Sequence, residues 1–203
     1  MFDKKSDIIC VTDRKLCRGD FLEQVERIAE GRPAAIILRE KDLSELEYEK
    51  LAARVMEICR RTDVLCVLHS FAATAARLSA EAIHMPMRLL RSMSNEEKSV
   101  FRIIGASCHS PEEAAEAQRL GCSYVTAGHV FATDCKKGME PRGLRFLKEV
   151  CDAVTIPVYG IGGIGPGNIS QVRETGAAGA CVMSRLMTCD APGVYMAAMI
   201  RPV

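Results

Sequence analysis

Eight short, continuous apolar runs recur along the chain with amphipathic stretches between them, and this alternation confines it to a parallel sheet flanked by helices. The runs cover residues 8–12, 34–39, 64–69, 82–85, 102–107, 124–128, 157–161 and 180–184. Each is apolar throughout rather than alternating, as expected of strands covered on both faces. The stretches between and after them predict helices over 21–30, 44–61, 71–78, 95–100, 111–120, 143–150, 167–175 and 191–199. An open doubly wound sheet is the competing architecture. Eight βα units of about 25 residues fit a closed (β/α)8 TIM barrel better, and 203 residues suit one domain spanning 1–203.

Several boundaries carry their own chemistry. Ser110-Pro111-Glu112-Glu113 reads as an N-cap, a proline at the first helical position and acids on the positive end of the helix dipole. Gly121 and Gly176 fall where helices should end, each shortly before a strand, as if one αβ turn were used twice.

Charge and cysteine usage narrow the class of function. With 27 basic and 26 acidic residues, a net charge of +1 offers no concentrated positive face for nucleic acid. No apolar stretch reaches the roughly 18 residues of a membrane span, and residues 1–9 do not read as a secretory leader. The ten cysteines form no C-x-x-C pair and read as reduced, mostly buried thiols of a cytoplasmic protein, without a zinc site.

In such a barrel the chemistry gathers at the carboxyl ends of the strands, and polar groups concentrate there: Thr12-Asp13-Arg14, Arg39-Glu40-Lys41, His69-Ser70, Ser107-Cys108-His109 and His129. Gly160-Ile161-Gly162-Gly163-Ile164 follows strand seven, where bare backbone N–H groups can hold an anion, with Met183-Ser184 after strand eight completing a phosphate cradle. The same glycines also serve a tight turn alone. The long polar loop 128–138 leaves strand six with His129 at its base, suited to moving a proton near neutral pH, and Lys136 and Lys137 within reach of a phosphate. Arg39 and Lys41 point the same way, as a clamp for a carboxylate or phosphate, unless Arg39 is spent in a salt bridge. His109 either caps the helix at Pro111 or faces the site. His84 sits in a Met-rich stretch that suits packing, and Cys135, without an evident base, reads as incidental.

Over almost its whole length the chain resembles the thiamine phosphate synthase and TenI superfamily, through Ile8-Ile-Cys-Val-Thr-Asp-Arg14, Arg39-Glu-Lys41, Ile83-His84, Gly105-Ala-Ser-Cys-His-Ser110, Tyr124 to Lys137, Ile156 to Ile164, Asn168 and Val182-Met-Ser184. The synthases of that superfamily join a pyrimidine diphosphate to a thiazole phosphate with Mg2+ held by two aspartates. The corresponding places here read His69-Ser70 and His84-Met-Pro-Met-Arg-Leu89, without those carboxylates. Gly128-His-Val-Phe-Ala-Thr-Asp-Cys-Lys-Lys-Gly138, followed by Arg142-Gly143, is similar to the loop of the TenI-type thiazole tautomerases.

That resemblance implies a metal-free isomerase. His129 would carry a proton that converts the exocyclic-alkene tautomer of carboxythiazole phosphate to the aromatic one. Gly162, Gly163, Met183, Ser184 and Thr133 would hold the phosphate, while Arg39, Lys41, Ser107 and Lys136 would face the carboxylate or ring. The expected partner is a small phosphate ester, with no cofactor and with pairing into a homodimer open. Two alternatives stand beside it: thiamine phosphate synthase itself, and a non-catalytic regulatory protein that binds thiamine phosphate.

Overall fold

The computed structural model describes residues 6–136 and 138–200; Lys137 and the ends of the chain (1–5 and 201–203, the latter closing the apolar run from Met196) lie outside the described residues. Eight parallel strands close on themselves in chain order: β1 (Ile8–Val11), β2 (Ala35–Leu38), β3 (Leu65–His69), β4 (Ala82–Pro86), β5 (Ile103–Cys108), β6 (Tyr124–Gly128), β7 (Val158–Ile161) and β8 (Gly179–Val182). β8 pairs back onto β1, with Ile8 opposite Ala180 and Cys10 opposite Val182. Closure removes every free edge, as the expected TIM barrel requires.

Alternation along each strand divides the buried side chains into two clusters. Ile9, Val11, Ile37, Val67, Tyr124 and Tyr159 fill the barrel interior with their neighbours. Ile8, Cys10, Ile36, Leu38 and Leu68 point outward, into the larger cluster shared with the helices. Tyr48 ties that outer layer to the sheet. Its hydroxyl donates to the Leu38 carbonyl at 2.7 Å and accepts the His69 amide at 2.8 Å.

The helices are α1 (Phe21–Glu30), α2 (Glu45–Thr62), α3 (Ala72–Arg77), α4 (Met87–Ser92), α5 (Asn95–Ser99), α6 (Pro111–Arg119), α7 (Gly143–Ala153), α8 (Ile169–Glu174), α9 (Ser184–Thr188) and α10 (Pro192–Ala197). Ser44 caps α2 and Ser94 caps α5 through reciprocal bonds with the glutamate three residues on. Ser110 caps α6, with Pro111 at its first position. Gly121 and Gly176 follow α6 and α8 with φ of +92° and +91°, one turn geometry used at both places.

Three local expectations are corrected. Ser184 opens a short helix, α9, instead of ending β8, because its backbone turns directly after Met183. The segment after β4 forms α4, anchored by buried Met87 and Leu90, where only α5 was expected. The cysteines are less buried than expected: five are fully buried, four partly, and Cys135 is exposed. Among the described residues no helix is long and apolar enough to cross a membrane.

Candidate functional site

At the carboxyl ends of the strands the barrel opens into a cavity of about 980 Å3. Apart from Lys137, which lies outside the described residues, the residues expected to bind or catalyse line it: Arg39 and Lys41 after β2, Ser107 on β5, His129, Thr133 and Lys136 after β6, Gly162 and Gly163 after β7, and Met183 and Ser184 after β8. Residues up to 145 positions apart meet because all eight strands finish on one rim.

The turn expected to cradle an anion is built by the loops after β7 and β8. Gly162 turns with φ +100° and Gly163 with φ +65°. Asn168 fixes that turn, its Oδ1 accepting the Gly165 amide at 2.8 Å and its Nδ2 donating to the Gly163 carbonyl at 2.9 Å. This staple is why α8 begins at Ile169, two residues later than its glycines suggested. Ser184 Oγ sits 3.2 Å from Cys135 Sγ, so the thiol read as incidental rests against the cradle.

His129 stands at the foot of the loop after β6 and is 7 % exposed. Its Nε2 lies 3.3 Å from the Met139 carbonyl, and its own carbonyl accepts the Arg142 amide at 3.0 Å. With an Nε2 proton donated to Met139, Nδ1 keeps the lone pair a proton acceptor needs.

On the same rim Arg39, Lys41 and Lys136 converge, and none of them forms an ion pair among the described residues. The salt bridge considered for Arg39 is absent among the described residues. Glu40 between them is 3 % exposed and turned the other way, toward Thr12 and Arg14. Loss of hydration lowers the Lys41 ammonium from the usual lysine range, and the charges of Arg39 and Lys136 add to that. Cations brought together without ion pairs among the described residues make a place for an anion, although Asp134 also lines the cavity.

The histidines left undecided also face the cavity. His69 and His84 stack with ring centroids 5.6 Å apart. Burial lowers both, His84 to about 3, with the like charge of Arg39 adding to it, so both are neutral near pH 7. The helix cap next to His109 belongs to Ser110, and the His109 ring lines the cavity with Nδ1 3.3 Å from the Gly128 carbonyl. The positions where the resemblance puts the magnesium carboxylates of a synthase are Ser70, next to His69, and Leu89, five residues after His84. Among the described residues no group of three or more His, Cys, Asp or Glu stands together to hold a metal ion. Mg2+ depends on carboxylate oxygens, and neither the Ser70 hydroxyl nor the Leu89 side chain supplies one, so these residues do not fit it.

A family model described as thiamine monophosphate synthase matches residues 8–186. A thiamine-phosphate synthase from Desulfitobacterium hafniense is 35% identical over 189 residues, covering 90% of this chain and 89% of its own. Another, from Fusobacterium nucleatum, is 31% identical over 191 residues, with 91% of each chain covered. The solved structure of a thiamine phosphate pyrophosphorylase from Pyrococcus furiosus superposes with a TM-score of 0.82 at 29% identity, over 97% of this chain and 96% of that one.

Proposed function

This chain belongs to the thiamine monophosphate synthase family, and from that membership we propose that its cavity takes up a thiazole phosphate and works on it in the making of thiamine phosphate. The observation that carries this reading is an anion site of two parts on one rim: a glycine cradle with Ser184 after β7 and β8, and three cations, Arg39, Lys41 and Lys136, that form no ion pair among the described residues. A ligand with an anionic group at each end satisfies both parts.

The names of the relatives favour the transferase, thiamine-phosphate synthase, and lend no support to the isomerase inferred from the loop after β6. The transferase therefore comes first. In it, the cradle holds the thiazole phosphate while its ring nitrogen attacks the pyrimidine methylene, and the bond to the diphosphate breaks. Arg39, Lys41 and Lys136 stabilise the departing pyrophosphate as its charge develops. No step is assigned to a divalent cation, since Ser70 and Leu89 stand where its carboxylates would be and no metal-holding group of His, Cys, Asp or Glu is found among the described residues.

One observation favours the isomerase as a second reading: Ser70 and Leu89 stand in place of the expected carboxylates, while His129 sits beside the cradle. There His129 takes a proton from ring C2 and returns one to the exocyclic carbon, and nearby cations stabilise the carboxylate-bearing anion between.

Two incubations of the purified protein separate these readings. In the first, thiazole phosphate and pyrimidine diphosphate are supplied with Mg2+ or with EDTA, and pyrophosphate release is followed. In the second, the alkene tautomer of carboxythiazole phosphate is followed by its proton spectrum with EDTA present. Pyrophosphate release establishes the transferase, and EDTA-resistant aromatisation the isomerase. Binding of thiamine phosphate with neither reaction would mark a regulatory protein.

A further inference from the structure

His84 on β4, Gly105 on β5 and Tyr124 on β6 are register partners, side by side across three strands. Gly105 contributes no side chain between the other two, and a Cβ there would collide with the Tyr124 ring and hydroxyl. The ring thus crosses β5 over the glycine, and its hydroxyl lies 3.0 Å from His84 Nδ1. The other imidazole nitrogen, Nε2, is 2.8 Å from Ser107 Oγ, on the same face of β5 two residues nearer the rim. Tyr124 is buried in the barrel interior and Ser107 lines the cavity, so one hydrogen-bonded chain runs from the core to the ligand.

A neutral imidazole has one N–H and one lone pair, so both bonds in this chain run in the same direction. Burial keeps His84 neutral and holds the Tyr124 phenol protonated. A phenol is a stronger donor than an alkyl hydroxyl, and the alkyl oxygen is the stronger acceptor. The favoured order is therefore Tyr124 O–H to Nδ1 and Nε2–H to Ser107 Oγ, which turns the serine hydrogen outward.

We propose that Tyr124 is a positioning residue: by fixing the tautomer of His84 it makes Ser107 a hydrogen-bond donor to the ligand, so the β4–β5 side of the cavity selects an acceptor atom, such as a carboxylate or phosphate oxygen or an unprotonated ring nitrogen. A ligand that offers only an N–H at that point must turn the serine hydrogen aside and use the one lone pair left on Oγ, and so binds less well. Only the choice of thiazole phosphate as probe rests on the functional reading above.

The test begins with long-range proton–nitrogen spectra of the nitrogen-15-labelled protein. The His84 proton should reside on Nε2. In Tyr124→Phe, which keeps the ring and loses the hydroxyl, the proton should redistribute between the two nitrogens, and Gly105→Ala should do the same by displacing the ring. Thiazole phosphate should bind Tyr124→Phe about tenfold more weakly, while inorganic phosphate, held by the cradle alone, should bind as before. Ser107→Ala should add little to the loss in the Tyr124→Phe background. An Nδ1 proton in the unaltered protein overturns the proposal, and so does a Tyr124→Phe variant with unchanged spectrum and affinity. If either variant fails to fold, the spectrum of the unaltered protein still decides. If thiazole phosphate does not bind at all, the functional reading fails, and the tautomer is judged by the spectrum alone.

Discussion

Gly162 and His129 approach so closely that a methyl group on Gly162 would stand 2.9 Å from His129 Cα, and nearer still to its Cβ. The glycine turn proposed to hold the anion and the base of the loop after β6 are therefore one packing unit. Gly162→Ala meets this contact and also a φ of +100°, a backbone region unfavourable to any residue with a side chain. It should cost roughly 1–3 kcal/mol of stability and weaken inorganic phosphate binding about tenfold or more. Thermal unfolding and titration calorimetry read the two effects, and unchanged phosphate affinity would separate the glycine turn from the anion site.

His129→Ala divides binding from chemistry. Phosphate affinity should change little, since the cradle remains. If the protein is an isomerase, aromatisation should slow by about 10²–10⁴ fold, the usual contribution of a positioned acid–base group. If it is a transferase, pyrophosphate release should suffer far less, because the cations and not the imidazole carry that step. A variant with full isomerase rate would remove His129 from the mechanism.

These residues were legible before the fold was known because a barrel brings all strand ends to one rim, so that Arg39, Ser107, His129 and Ser184 could be read as neighbours from their places after apolar runs. The Tyr124–His84–Ser107 chain was not legible. It depends on the register of β4, β5 and β6, which closure of the whole sheet sets, and on a missing side chain at Gly105 that local pattern cannot interpret. His84 carried only the weak signal of a single histidine among methionines. The helices α4 and α9, six and five residues long, are too short to show a helical period. The contact of Cys135 with Ser184 spans 49 positions and follows from how the loop after β6 folds back.

Anion affinity should depend on pH through Lys41. Its ammonium is lowered from 10.5 by loss of hydration, and then by Arg39 and Lys136, whereas a bound anion favours the charged form. As pH rises through that lowered value the free protein loses the proton, and affinity for pyrophosphate should fall, beginning below the ordinary lysine range. Lys41→Met should bind more weakly at pH 7 and show a flatter profile between about pH 7 and 10. Parallel profiles for the two proteins would show that Lys41 does not meet the anion.

Stability should fall on the acid side through His84. Burial, with Arg39 adding to it, moves this imidazole from 6.5 down to about 3. Between those values the unfolded chain takes up a proton that the folded one refuses. Stability is therefore fully present above about 6.5 and is lost as pH falls, by up to about 1.4 kcal/mol per pH unit for this group. His69 acts in the same direction, lowered first by its burial. Urea midpoints between about pH 4 and 7 should decline less steeply in His84→Gln, whose amide does not titrate. An identical slope in both proteins would place the acid sensitivity elsewhere.

Glu40 should support both the fold and the site. Its buried carboxylate accepts the Thr12 hydroxyl at 2.7 Å and the Arg14 amide at 3.1 Å, and it faces the Arg14 guanidinium at 3.3 Å. The Thr12 hydroxyl in turn accepts the Arg39 amide at 3.0 Å, so the backbone that carries the cationic clamp hangs on this carboxylate through one threonine. Glu40→Ala leaves the Thr12 hydroxyl and the Arg14 amide without their acceptor in a dry place, which should cost about 3 kcal/mol. Thr12→Val removes the link while leaving Glu40 its bonds to Arg14, so it should cost only about 1–2 kcal/mol yet weaken pyrophosphate binding severalfold by freeing Arg39. Unfolding in urea and pyrophosphate titration on both variants tell the two roles apart. If Thr12→Val binds pyrophosphate as tightly as the unaltered protein, Arg39 is placed by β2 alone and Glu40 serves only the fold.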